Sequence, residues 1–228
     1  MKEILTKENT PQGFSRRRFL AFSGGLVGAS MILGACHNGP DEAILPNDTR
    51  VDLGKGDVGI LNYAYALEQL EAAFYTKVAE SPYAGITADE KALLTDIRDH
   101  EIAHRNFFKA ALGASAIGAL QVNFESINFG DRASVLATAK AFEDLGVSAY
   151  NGAGQLIESA DYLVLAGKIV SVEARHAAYI RDLISNGSFA DSSVVDGNGL
   201  DMSRSPAQVL AIAGTYIKTA INADNLPK

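Results

Sequence analysis

Two short stretches carry the residue types that do chemistry. Glu101-Ile102-Ala103-His104 and Glu173-Ala174-Arg175-His176 each place a carboxylate and an imidazole three positions apart. In a helix that spacing puts both side chains on one face. Two such helices facing each other offer oxygen and nitrogen donors to divalent cations, and those donors suit iron, manganese and zinc alike. Further acids extend the pattern. The segment LEQLEAAFY (67–75) aligns with FEDLGVSAY (142–150), pairing Glu68 with Glu143 and Tyr75 with Tyr150. Each half of the chain therefore repeats a Glu, a Tyr seven residues later, and a Glu-x-x-His about thirty residues beyond the Glu.

Four long helical stretches must position these groups. Apolar and acidic residues recur every three or four positions: Leu61, Ala64, Glu68, Glu71, Tyr75 and Val78 in the first, and Leu94, Ile97, Glu101, His104 and Phe108 in the second. The third carries Leu136, Ala139, Glu143, Gly146 and Tyr150, and the fourth Leu165, Ile169, Glu173, His176, Ile180 and Leu183. Thr87-Ala88-Asp89-Glu90 reads as a capping box and Gly113 as a stop, while Asp131 caps the third helix and Asn186-Gly187 ends the fourth. Residues 57–186 contain no comparable period-two run, so the expected fold class is all-α. Short turns near Ser81-Pro82 and Gly154 make two antiparallel hairpins, and the 18 residues 113–130 are long enough to cross over between helices two and three. In the tail, 187–228, a polar loop precedes a short helix starting at Ser205-Pro206.

Charges inside a helical bundle are costly unless paired or bound to metal, and here all four stripes contain one. With that ligand set in that order, residues 57–186 resemble the ferritin-like superfamily, specifically the exported bacterial ferritin-like domain proteins. The resemblance implies a four-helix bundle with a long crossover and two divalent metal ions, iron or manganese. It implies that Glu101 and Glu173 bridge the metals, that Glu68 and Glu143 are terminal carboxylates, and that His104 and His176 each cap one metal. Tyr75 and Tyr150 would then hydrogen-bond the terminal carboxylates from outside the ligand set. Glu71 shares the stripe with Glu68, whereas Gly146 stands at its equivalent in the other half; symmetry favours Glu68 as ligand and leaves Glu71 as an outer group or substitute.

Other readings of the same residues stand beside this one. His100-Glu101-x-x-His104 is the zinc protease pattern, with two histidine ligands and a glutamate base. It lacks a third ligand, because Phe107 and Ala110 occupy the places an extended motif requires, and it leaves the second Glu-x-x-His unexplained. His100 is then expected as a flanking surface residue. Without metal the motifs would form a buried polar network, a poor route to stability. The expected function is a di-metal protein reacting with oxygen or peroxide, an oxidase, peroxidase or ferroxidase type of oxidoreductase. A non-enzymatic metal-binding or stress-protective bundle and a manganese catalase-like activity are the alternatives.

The N-terminal region reads as an address rather than as fold. Ser15-Arg16-Arg17, Phe19 and Leu20 precede a weakly apolar Gly-rich run ending Leu33-Gly34-Ala35-Cys36. This resembles a twin-arginine signal joined to a lipoprotein box, over 1–35, with Cys36 as the lipidated residue and 36–56 as a flexible tether. The expectation is a cell-envelope protein held to a membrane surface through Cys36, on the periplasmic or extracytoplasmic side. A single cysteine excludes an internal disulfide, and a net charge of −7 argues against a nucleic-acid partner. Self-association is left open by the sequence.

Overall fold

The computed structural model describes residues 48–228; the signal, Cys36 and most of the expected tether lie outside the described residues. Five α-helices and one two-stranded pair follow in order: β1 Val51–Asp52, α1 Gly56–Glu80, α2 Ala88–Leu112, α3 Arg132–Gly154, α4 Ala160–Ile184, α5 Pro206–Ala213 and β2 Ile221–Asn222. At 1.5 Å per residue each of the four long helices spans roughly 35 Å. The starts of α2, α3 and α4 are capped by side chains: Thr87, Asp131 and Ser159 each accept a bond from the backbone N–H three residues on. The box expected at Thr87 is half formed, because the Glu90 carboxylate is taken by Tyr83 and Arg132 instead of turning back to the cap. Asp57, in the first turn of α1, accepts from the Glu158 and Ser159 amides and so ties the start of α1 to the start of α4.

α1 packs along α2 and α3 along α4, and the two hairpins meet through α1 and α3. α1 and α3 run antiparallel, since Tyr75 reaches Glu143 while Tyr150 reaches Glu68. The crossover from α2 to α3 is pinned along α1. Buried Asn62 donates to the carbonyls of Leu53 and Ser115 and accepts from the Ile117 amide. Further along, Gln69 bonds Gly118 and Leu120, and the rings of Phe124 and Phe129 rest on Phe74.

The tail beyond α4 is part of the bundle. α5 packs on α3, with Val209 and Ala213 fully buried. The helix stops after eight residues and gives way to a 3-10 turn over Gly214–Tyr216, so it is shorter than its apolar run suggests. Arg204 crosses α3 at Gly152, where a Cβ would lie 1.7 Å from the Arg204 carbonyl oxygen, so only glycine admits this approach. β2 then pairs in parallel with β1, and Leu53 is fully buried. Residues 51–53, placed by their sequence in the flexible tether, are thus fixed against the C-terminal segment. Among the described residues no helix is long and apolar enough to cross a membrane.

Candidate metal centre

The acidic rung of the bundle lies midway along the four long helices, with apolar layers on either side. Leu61, Phe108, Leu112 and Ile169 close it toward the start of α1, and Phe74, Leu94, Leu136, Phe142 and Ile180 close it toward the other end. Glu68 comes from α1, Glu101 and His104 from α2, Glu143 from α3, and Glu173 and His176 from α4. All four glutamates are 0% exposed.

They assemble into two overlapping groups, Glu68-Glu101-His104-Glu173 and Glu101-Glu143-Glu173-His176, with the ligand atoms of each group within 4.8 Å of one another. Glu101 and Glu173 belong to both. His104 Nδ1 lies 2.9 Å from Glu173 Oε1, 3.5 Å from Glu68 Oε2 and 3.7 Å from Glu101 Oε2. His176 Nδ1 repeats this at 2.9 Å from Glu101 Oε1, 3.5 Å from Glu143 Oε2 and 3.9 Å from Glu173 Oε2. Each imidazole is therefore nearest the glutamate of the opposite motif.

These short approaches are not hydrogen bonds in geometry. Among the described residues ten buried side-chain polar atoms have no hydrogen-bond partner, and nine of them belong to Glu68, Glu71, Glu101, His104, Glu143, Glu173 and His176. Buried polar atoms are nearly always satisfied, so nine orphans in one place need a common explanation. Lone pairs aimed at a shared point rather than at one another are what a metal requires, and an all-carboxylate and imidazole donor set fits divalent cations. The cluster is compatible with di-metal binding.

Two tyrosines hold the terminal acids from behind. The Tyr75 hydroxyl donates to Glu143 Oε1 at 2.5 Å, and the Tyr150 hydroxyl donates to Glu68 Oε1. Each tyrosine serves the glutamate of the other half, and each bond leaves Oε2 facing the histidine. Glu71 is buried beside them at 3% exposure. A Cβ on Gly146 would lie 3.1 Å from Glu71 Oε1 and 3.6 Å from Glu173 Oε2. The glycine that breaks the repeat is thus the room that Glu71 uses.

The electrostatics follow from five buried acids facing two imidazoles. Burial pushes Glu71 and Glu173 well above the usual carboxylate range, with neighbouring carboxylates adding to the effect, and pushes Glu68 up to about 7. Burial also raises Glu143. Glu101 is the exception: burial opposes its charge, yet the two imidazoles on either side hold it down at about 2. Burial likewise opposes a charge on the histidines, but the surrounding carboxylates win and push His104 up to about 12 and His176 to about 10. Protons therefore occupy the metal-free centre, and metal must displace them.

His100 was expected as a flanking surface residue, and it is exposed. Its ring nevertheless reaches inward, with Nδ1 2.9 Å from His176 Nε2. It does not converge with His104 on one point, so the zinc protease arrangement is not assembled. The signal for this contact was the shared face of His100 and His104, four residues apart, which turns both toward α4. The tie made by Asn62 had no comparable signal, since its partners are backbone carbonyls and an amide brought in by the fold.

A family model described as a ferritin-like domain matches residues 56–186, which contain all four long helices and every residue of the centre. No curated protein matches the chain.

Proposed function

The chain belongs to the ferritin-like domain family, and on that premise we propose that its bundle holds two divalent metal ions, iron or manganese, and reacts with oxygen or peroxide. The observation that carries this reading is the convergence of six ligand side chains from four helices, with their inward atoms free of hydrogen bonds. Glu101 and Glu173 would each give one oxygen to either position, while Glu68 with His104 and Glu143 with His176 would complete the two ends. A redox-active pair held about 3.5–4 Å apart can supply two electrons to an oxidant.

The chain's own residues prepare the site for that chemistry. Five buried carboxylates favour the more positive, oxidised state of whatever cations they hold. Tyr75 and Tyr150 fix one oxygen of each terminal carboxylate, so the other cannot swing away from the centre. The apolar layers above and below keep water from competing for the ligand atoms. Outside the described residues, Cys36 would anchor the protein to a membrane surface after twin-arginine export; labelling with a radioactive fatty acid should mark the wild type and not Cys36→Ala.

The test is anaerobic loading with Fe(II) or Mn(II), followed by one equivalent of oxygen or peroxide under optical monitoring. A rapid absorbance change is expected, with the oxidant consumed. A loaded protein that leaves both oxidants untouched, yet loses thermal stability on chelation, would instead be a metal-stabilised bundle without turnover.

A further inference from the structure

The two halves of the centre differ at one outer position. His176 has its Nδ1 among the carboxylates and its Nε2 against His100 Nδ1 at 2.9 Å. The two rings are within 7° of parallel with centroids 5.2 Å apart, so with nitrogens this close they meet edge to edge in nearly one plane. That is the geometry of an imidazole N–H donating to a neighbouring imidazole nitrogen. The repeat places Val172 where the first motif has His100, immediately before the glutamate. A valine side chain offers no acceptor, so His104 has no equivalent support from α4.

Outer partners of this kind fix the tautomer and orientation of a ligating histidine and raise its basicity. With Nε2–H committed to His100, the Nδ1 lone pair of His176 is the one left facing Glu101 and Glu143. A second asymmetry falls on the same side. Glu71 Oε1 and Glu173 Oε2 border one point at Gly146, and Glu173 Oε2 is the oxygen that faces His176, so an additional carboxylate stands near this position.

We infer that His100 is a positioning residue for His176, and that the metal position formed by Glu101, Glu143, Glu173 and His176 is the tighter of the two and fills first. This rests on the two-metal reading above. It also assigns the His100 of the leftover His-Glu-x-x-His pattern a role outside the ligand set: it acts through another ligand.

Co(II), added without oxygen or peroxide so that no redox step intervenes, is the probe. Titrated into the metal-free wild type, it should bind in two steps of unequal affinity, followed by absorption and calorimetry. His100→Ala should weaken the tighter step by about 10 to 100-fold and leave the weaker one within about twofold. His100→Gln, whose amide oxygen can accept the same N–H, should restore most of the loss. Val172→His should tighten the weaker step by supplying His104 with the partner it lacks. Two Co(II) ions bound with both steps unchanged in His100→Ala, or weakened equally, would overturn the inference while leaving the two-metal reading intact. A wild type that binds no Co(II) would remove both.

Discussion

Carboxylates are buried at two kinds of place in this bundle, and their company differs. Near the start of α2, buried Glu90 meets the Arg132 guanidinium and the Tyr83 hydroxyl, and on the flank of α3 the half-buried Asp144 accepts from the buried Arg181 through two contacts of 2.7 and 2.8 Å. Midway along the helices, Glu68, Glu71, Glu101, Glu143 and Glu173 stand together, and among the described residues the basic groups within ion-pair distance of this cluster are His104 and His176. The first arrangement is closed by the protein's own charges. The second is not, because five acids face two bases, and the deficit is what divalent cations would fill. A buried acid at helical spacing is thus ambiguous until its counter-charge is known.

That contrast can be broken most severely at a shared acid. Glu173→Ala should lower the affinity for both ions by more than about 100-fold, beyond the range typical of an outer partner, whereas Glu90→Ala should retain both; equilibrium dialysis distinguishes them. Equal retention in the two variants would erase the difference between the regions. Arg181→Leu should act in the opposite way, leaving the half-buried Asp144 without its partner and lowering stability by about 1–2 kcal/mol in urea unfolding, with metal content unchanged.

Acidity sharpens the comparison further. In the metal-free chain Glu71 and Glu173 keep their protons well above the usual range, while the unfolded chain releases them near pH 4.5. The folded state then binds more protons than the unfolded one, so stability falls as pH rises past that value. His104 and His176 add a second loss from about pH 6.5 upward, because only the folded state holds their protons toward about 12 and about 10. Glu101 has the opposite sign, but its contribution is lost only as pH falls from about 4.5 toward 2, outside this window. The Tm of metal-free protein should drop by roughly 5–10 °C between pH 5 and 9, and bound metal should flatten the curve. A Tm that rises across this range would contradict the charge imbalance.

Neutralising one acid in each region gives smaller effects of opposite sign. At pH 8, Glu71→Gln should stabilise the metal-free chain by about 1–2 kcal/mol, since it removes the cost of holding a proton on a buried acid that the unfolded chain would release, whereas Glu90→Gln should destabilise it by about 1 kcal/mol through the weakened pairing with Arg132. Smallest is Gly146→Ala. The added Cβ would sit 3.1 Å from Glu71 Oε1 and force that side chain aside, against a helix-propensity gain of about 1 kcal/mol. Its net effect on stability should stay within about 1 kcal/mol, and a larger loss would mean that Glu71 cannot move.

Local sequence signals already specify much of this arrangement. The caps at Thr87, Asp131 and Ser205 and the stop at Gly113 are local signals, so those helix limits follow from them. The acidic stripe followed from period and repeat. Three features depended on what the fold brings together. Tyr75 and Tyr150 serve the opposite halves because α1 and α3 are antiparallel, which the repeat alone does not specify. His100 reads as surface because it is exposed, and its partner is 76 positions away. β1 and β2 are two residues each, too short to show a period, and they pair only because α5 returns the tail to the start of α1.

We propose that the acid excess in the bundle is a two-metal site shared by Glu101 and Glu173. Anomalous diffraction from crystals of the Fe(II)- or Mn(II)-loaded protein tests it most directly. Two peaks per chain are expected, about 3.5–4 Å apart, both within coordination distance of Glu101 and Glu173, one beside His104 and the other beside His176. One peak or none in the bundle, or peaks elsewhere with these glutamates protonated and hydrogen-bonded to each other, would contradict it.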